Sequence, residues 1–191
     1  ERMFSASLEE KKTSIRCNLQ KNSPNQLKKQ LQEEGVAVED SGYLDYAFYI
    51  RDYDYLDKLK AFREGRFTVQ DVSSQLVCQV ADIKGNDFVV DVCASPGGKS
   101  LHAAEKAKRV SARDLTEYKI HFIEENKKRL GLTNVEPLVW DATVFDPSIE
   151  QKADVVIADL PCSGLGVLGK KADIKYKLTQ KQQKELVELQ R

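Results

Sequence analysis

Two short stretches hold most of the residues that could do chemistry in this 191-residue chain. The first runs Asp91-Val92-Cys93-Ala94-Ser95-Pro96-Gly97-Gly98-Lys99-Ser100. It ends like a phosphate-binding P-loop, but that motif needs a glycine five places before Gly98, where Cys93 stands. The dinucleotide fingerprint Gly-x-Gly-x-x-Gly fails as well, because the loop supplies only an adjacent glycine pair. The second stretch is Asp159-Leu160-Pro161-Cys162-Ser163. A thiol three residues past an acid, in a turn opened by proline, is a candidate for covalent catalysis, because an activated thiolate is a strong nucleophile. The plainer alternative for any single cysteine is a small buried thiol.

Both stretches must be held by regular elements, and from residue 72 the hydrophobic pattern supplies them. SSQLVCQVADI, SLHAAEKAK and TEYKIHFIEENKKRL read as helices, FVVDV as a short apolar strand, and VSARD, VEPLVW and ADVVIAD as further strands. This alternation predicts a Rossmann-like α/β fold: a parallel sheet with helices on both faces, whose ligands sit at the carboxyl ends of the strands. That rule lines up four acids: Asp91 in the first strand, Asp114 ending the second, Asp141 just after the third and Asp159 ending the fourth. A strand-end aspartate alone reads as a helix cap. Four of them beside a Gly-Gly loop suit a nucleoside without phosphates, with Asp114 on a ribose diol, Asp141 on an adenine amino group and the glycines allowing close backbone approach. Carboxylates would repel a pyrophosphate. The cofactor expected is therefore S-adenosylmethionine, its methionine end cradled by the opening loop.

Ahead of this region, TSIRCNL alternates Ile15, Cys17 and Leu19 against Ser14, Arg16 and Asn18, the period of a half-buried strand. Ser23, Pro24 and Gln26 open a helix that Gly35 ends, and VAVE and YAFYI follow as strands. The expected organisation is a small α+β domain over residues 1–64, then a catalytic-type domain over 65–191. Thirty basic and thirty acidic residues cancel, so a nucleic-acid partner needs a local patch. No run reaches the ~18 apolar residues of a membrane span, which makes the cytoplasm the expected compartment, with no membrane partner. Four scattered cysteines and two histidines give no metal-ligand spacing and no disulfide framework.

The loop from Asp91 to Lys99 together with Asp159-Leu160-Pro161-Cys162-Ser163 resembles the Sun-type RNA (cytosine carbon-5) methyltransferases. Arg16-Cys17-Asn18, the run Gly65 to Asp71, Asn126-x-x-Arg129-Leu130-Gly131 and Asp173-Ile174-Lys175-Tyr176 agree with it, so the likeness covers nearly the whole chain from about Thr13. The resemblance implies a methyltransferase that makes 5-methylcytosine in small-subunit ribosomal RNA. It also implies cofactor contacts at Cys93, Ala94, Ser95, Pro96, Gly97, Gly98, Lys99, Asp114, Asp141 and Asp159. In this family a cysteine thiolate adds to carbon 6 of the base, and the resulting enamine attacks the sulfonium methyl group. Asp159 would then stabilise charge on the ring. The attacking cysteine lies in a Thr-Cys motif further along, while the Pro-Cys residue, here Cys162, helps release product. No Thr-Cys dipeptide occurs in these residues. The implied picture is an incomplete sheet of strands one to four in a chain inactive alone.

For RNA, the one-sided basic run after Cys162 points to Lys170, Lys171 and Lys175 beside the catalytic loop, against a solvated face as the alternative. The resemblance implies that the small domain helps hold RNA, with Arg16, Asn18, Tyr43 and Tyr46 as exposed candidates. Lys99 either is solvated or reaches a substrate phosphate or the base. Ala172 and Tyr176 depart from the family pattern, which expects proline and tryptophan. Two alternatives stand: a ribose 2'-O-methyltransferase, which has no use for Asp-x-Pro-Cys, and a non-catalytic module that binds RNA and cofactor.

Overall fold

The computed structural model describes residues 12–167, 174–177 and 179–191. It contains two four-stranded sheets. The first is antiparallel, in the order β2-β3-β1-β4, from β1 (Thr13–Cys17), β2 (Ala37–Asp40), β3 (Ala47–Arg51) and β4 (Phe67–Val69). Helix α1 (Pro24–Glu33) begins where the sequence places it: Ser23 Oγ accepts from the Gln26 amide and Gln26 Oε1 accepts from the Ser23 amide. Its buried Leu27 and Leu31 join Ile15, Phe48, Ile50 and Phe67 in one core. A short helix α2 (Lys60–Arg63) stands in the acid- and tyrosine-rich segment before β4.

Two expectations for this region are corrected. Strand β1 is not half-buried: Ser14, Ile15, Arg16 and Cys17 are all buried, because Ile15 and Cys17 face the core under α1 while Arg16 faces polar groups of the following region. Arg16 and Asn18 are each only 1% exposed, so neither is an outward RNA contact. Tyr43 is exposed and Tyr46 half-buried. The antiparallel sheet also runs past residue 64, since β4 pairs with β1 through Ile15–Val69 and Cys17–Phe67. Both sheets lie in one compact unit, Thr13–Asp159.

After α3 (Val72–Val80) comes the second sheet, wholly parallel, in the order β7-β6-β5-β8. Its strands are β5 (Phe88–Asp91), β6 (Arg109–Asp114), β7 (Val135–Val139) and β8 (Val155–Ile157), with α4 (Gly98–Ala104) following β5 and α5 (Glu117–Leu130) following β6. Val89 pairs with both Val110 and Val155. Central strand β5 is apolar up to its closing Asp91, while β6 buries Ser111, Arg113 and Asp114 beside Val110 and Ala112, and Val89, Leu101, Val110, Ile123 and Leu130 build the core. Strand order reverses direction at β5, which puts the loop after β5 at the topological switch point where such sheets bind ligands.

The segment Leu160–Arg191 separates from this unit. It holds a 3-10 turn (Leu165–Val167), α6 (Ile174–Lys177) and α7 (Gln180–Leu189), the last begun by a Thr179–Gln182 capping box. Among the described residues no helix is long and apolar enough to cross a membrane, and no group of His, Cys, Asp and Glu could hold a metal ion.

Candidate active site at the strand ends

Three of the four sequence-predicted acids meet around the loop after β5. Asp91 closes β5 and is buried; its Oδ2 accepts from Ser100 Oγ at 2.6 Å and its Oδ1 from the Cys93 amide at 3.4 Å. Burial pushes its carboxyl up to about 6, with the Ser100 and Cys93 bonds and the nearby Lys99 opposing. Asp91 thus ties the first turn of α4 to the end of the strand. It is a support for the loop, lying beneath it.

Asp114, 5% exposed, closes β6. It accepts from the Ser95 amide at 2.9 Å, the Leu115 amide at 2.8 Å and Lys119 Nζ at 2.8 Å. Burial opposes its charge, but Lys119 and the two amides outweigh burial and hold the carboxyl below its ordinary range. A carboxylate offers about four acceptor positions, so three donors leave room for one ligand hydroxyl while Lys119 stays in place. Sequence reasoning missed Lys119, Ser95 and Ser100 as partners, although Lys119 lies one helical turn into α5 from Asp114.

Asp159, two residues past β8, is 58% exposed and accepts from Lys99 Nζ at 2.5 Å. Lys99 therefore is not simply solvated: it spans from α4 to the fourth strand end. Asp141, two residues past β7, folds back on itself, its Oδ1 accepting from the Thr143 amide (2.9 Å) and hydroxyl (2.7 Å), which keep it ionised below the usual range. It is exposed, in a loop anchored from β6 by the buried Arg113, which pairs with Asp146 at 2.8 Å and lies over Trp140.

The glycine pair answers first to the chain's own geometry. Gly97 has φ +105°, and a Cβ there would sit 2.8 Å from the Leu101 side chain; a Cβ on Gly98 would meet only Gln70, at 3.7 Å. Cys93 is half-buried, its thiol raised by burial and by Asp114 and Asp91, whereas Cys17 and Cys78 are buried and pushed up to about 12 and about 11. Cys162 is the exposed thiol among the four. Within its own segment it lines a cavity of about 380 Å³ with Ser163, Ile174, Leu186 and Leu189. Lys170 and Lys171 lie outside the described residues, as does the side chain of Lys175.

The model of 16S rRNA methyltransferase RsmB/F matches residues 78–191. The chain belongs to the RsmB/F family. It is 35% identical over 176 residues to the "Probable ribosomal RNA small subunit methyltransferase B" of Bacillus subtilis, covering 86% of this chain and 38% of that protein. It is 38% identical over 115 residues to the tRNA (cytosine(72)-C(5))-methyltransferase of Pyrococcus horikoshii, covering 59% of this chain and 29% of that one. The crystal structure of PH0851 superposes with a TM-score of 0.90 at 32% identity, over 98% of this chain and 44% of that one. RsmB/F proteins are S-adenosylmethionine-dependent methyltransferases. The strand ends fit that group: Asp114 keeps one acceptor position for a ligand hydroxyl and Asp159 stays open to solvent, both beside the loop after β5.

Proposed function

We propose that this chain is the cofactor-binding part of an enzyme that moves the methyl group of S-adenosylmethionine to carbon 5 of a cytidine in small-subunit ribosomal RNA. One observation carries the reading: Lys99 and Asp159 pair across the carboxyl edge of a parallel sheet, immediately before the Pro161-Cys162 dipeptide, in a chain of the RsmB/F family. Bound there, the cofactor supplies an electrophilic methyl group on a sulfonium. Asp114 takes one ribose hydroxyl in its remaining acceptor position, or two if Lys119 withdraws. Cys93 to Lys99 line the methionine end and Asp141 the adenine. Asp159, paired with Lys99, shares a proton with ring nitrogen 3 of the cytosine, which neutralises the negative charge that develops when a thiolate adds to carbon 6. Cys162 is exposed, as a thiol that must meet RNA has to be. In the family's division of labour it helps eliminate the product, and the attacking thiol belongs to a Thr-Cys dipeptide that these residues lack. On this reading the chain by itself binds cofactor without completing transfer. Lys170, Lys171 and Lys175 grip RNA phosphates.

The test is methyl transfer from labelled S-adenosylmethionine to unmodified small-subunit ribosomal RNA and tRNA transcripts, with calorimetry for the cofactor. The expected outcome has four parts: cofactor binding by this chain, cofactor affinity lowered by roughly 1 to 3 kcal/mol in Asp114→Ala through loss of a partner for a buried hydroxyl, turnover on ribosomal RNA only from a longer protein containing Thr-Cys, and a denaturant-resistant RNA adduct in its Cys162→Ala variant. Label on a ribose oxygen would overturn the chemistry. Preferential labelling of tRNA would overturn the substrate. Turnover by this chain that Cys162→Ala abolishes would make Cys162 the nucleophile.

A further inference from the structure

The motif Asn126-x-x-Arg129 lies on α5, away from every strand-end acid, and the chemistry above gives it no task. Its contacts give it one. Asn126 Nδ2 donates to the carbonyl of Pro96, inside the loop after β5, at 3.1 Å. Arg129 Nη2 donates to Asn126 Oδ1 at 3.1 Å, and this fixes which end of the amide faces the loop. Arg129 is itself set from the other side: its Nη1 donates to the carbonyls of Phe62 (3.1 Å) and Phe67 (2.9 Å), and its guanidinium lies 4.0 Å over the Phe62 ring. Phe67 begins β4 of the antiparallel sheet. Burial pulls Arg129 down to about 10, so at neutral pH it remains charged and the guanidinium keeps all its donors.

The loop needs such a tether. Its rear, at Pro96, Gly97 and Gly98, borders a cavity of about 250 Å³ that Thr68, Asn126 and Arg129 also line. Side-chain packing therefore leaves part of the loop's rear uncovered, and glycines resist displacement poorly. We propose that Arg129 and Asn126 form a positioning relay through which the antiparallel sheet holds the cofactor loop in its binding shape. Neither is a catalytic residue; Arg129 acts through Asn126, and Asn126 through the Pro96 carbonyl. The role assigned to the loop rests on the cofactor reading above, but the relay is a statement about the loop itself. Asn126 is half-buried and makes one bond into the loop, so it can be altered without opening the core, whereas removing Arg129 would orphan two carbonyls.

The experiment is a double-mutant cycle on the whole chain with Asn126→Ala and Arg129→Lys, reading S-adenosylmethionine affinity by calorimetry, thermal midpoint, and hydrogen exchange of the Gly97 and Gly98 amides. Asn126→Ala is expected to weaken cofactor binding roughly three- to tenfold, the worth of one net hydrogen bond, to speed exchange at the loop amides, and to leave the midpoint nearly unchanged. Arg129→Lys should weaken binding in the unaltered background and do nothing further to affinity once Asn126 is Ala, while lowering the midpoint equally in both, because its carbonyl contacts are a separate matter. Additive effects on affinity, or loop exchange indifferent to Asn126→Ala, would overturn the relay. If the unaltered chain binds no adenosyl cofactor, the functional reading fails, and loop exchange still decides the relay.

Discussion

At the seam between the antiparallel sheet and the end of α5, polar side chains serve the backbone. Asn18 Nδ2 donates to the carbonyls of Gly65 and Leu130, at 2.9 and 3.0 Å, and Lys21 Nζ donates to those of Glu64 and Arg129, at 2.7 and 2.9 Å. One asparagine and one lysine thus satisfy the C-terminal carbonyls of α2 and α5 together, groups a helix cannot satisfy for itself. Arg16 instead bonds side chain to side chain, pairing with Glu105 and donating to Gln70 Oε1 at 2.8 Å. At the strand ends the pattern differs: carboxylates accept from their own loop, and Asp159 and Asp141 stay open to solvent. Both regions bury polar groups. Burial of a charged or polar side chain is therefore no sign of a ligand site here, and the sign is what remains unclaimed on the open side.

The sharpest way to break this contrast is Gly65→Ala. A Cβ at that position would stand 1.9 Å from the Arg129 carbonyl oxygen and 2.7 Å from its carbon, backbone atoms that cannot rotate aside, and φ is +67°. The expected cost exceeds about 4 kcal/mol, read by denaturant unfolding, and cofactor binding should disappear with the fold. A change under about 1 kcal/mol would mean that the seam yields and the two sheets are joined more loosely than its hydrogen bonds imply.

Next in size is a pH effect at the strand ends. Asp91 binds its proton more tightly folded, at about 6, than its ordinary value of 3.8. The native state therefore holds more protons than the unfolded state between about pH 4 and 6, and stability contributed by this group falls as pH rises through that window. Asp91→Asn removes the titration and adds a constant offset. Unaltered protein should accordingly lose up to about 3 kcal/mol relative to the variant from pH 4 to pH 7, measured as the difference between two denaturation series. A flat difference would show that Ser100 and Cys93 compensate burial fully.

Much of this architecture was legible in the sequence. Helical spacing placed α5, and the regular alternation of helices and short strands placed β5 to β7 within a residue or two, with β5 the clearest because a central strand covered on both faces is apolar. Ser23, Pro24 and Gln26 gave the start of α1 through local chemistry alone. What was not legible was non-local. Arg16 and Asn18 look like surface residues on an alternating strand until the C-terminal ends of α4 and α5 meet them, at Glu105 and Leu130. The same holds for β4, whose three residues pair only through β1. At the site, the acids could be read from strand-end position, but Lys119 on Asp114 and Lys99 on Asp159 depend on how α5 and α4 pack.

The smallest expected effect tests why the loop is glycine-rich. Sequence reasoning assigned Gly97 and Gly98 to close approach by the cofactor. Gly97 has a sufficient internal reason in its left-handed backbone and the Leu101 contact. Gly98 has none of that kind: its φ lies outside the left-handed region, it is the first residue of α4, and a Cβ would make ordinary contact with the Gln70 side chain at 3.7 to 3.9 Å. A Cβ at Gly98 thus points at Gln70, the residue just past β4, on the seam side of the loop. Gly98→Ala should change stability by less than about 0.5 kcal/mol, in the stabilising direction because alanine restricts the unfolded chain, and should leave S-adenosylmethionine affinity within about twofold, since a contact of that size is worth only tenths of a kcal/mol. Calorimetry and denaturant unfolding on the one variant read both quantities. A large loss of affinity with stability intact would place the cofactor on the Cβ side of Gly98 as well, and the loop would then belong to the ligand on both of its faces.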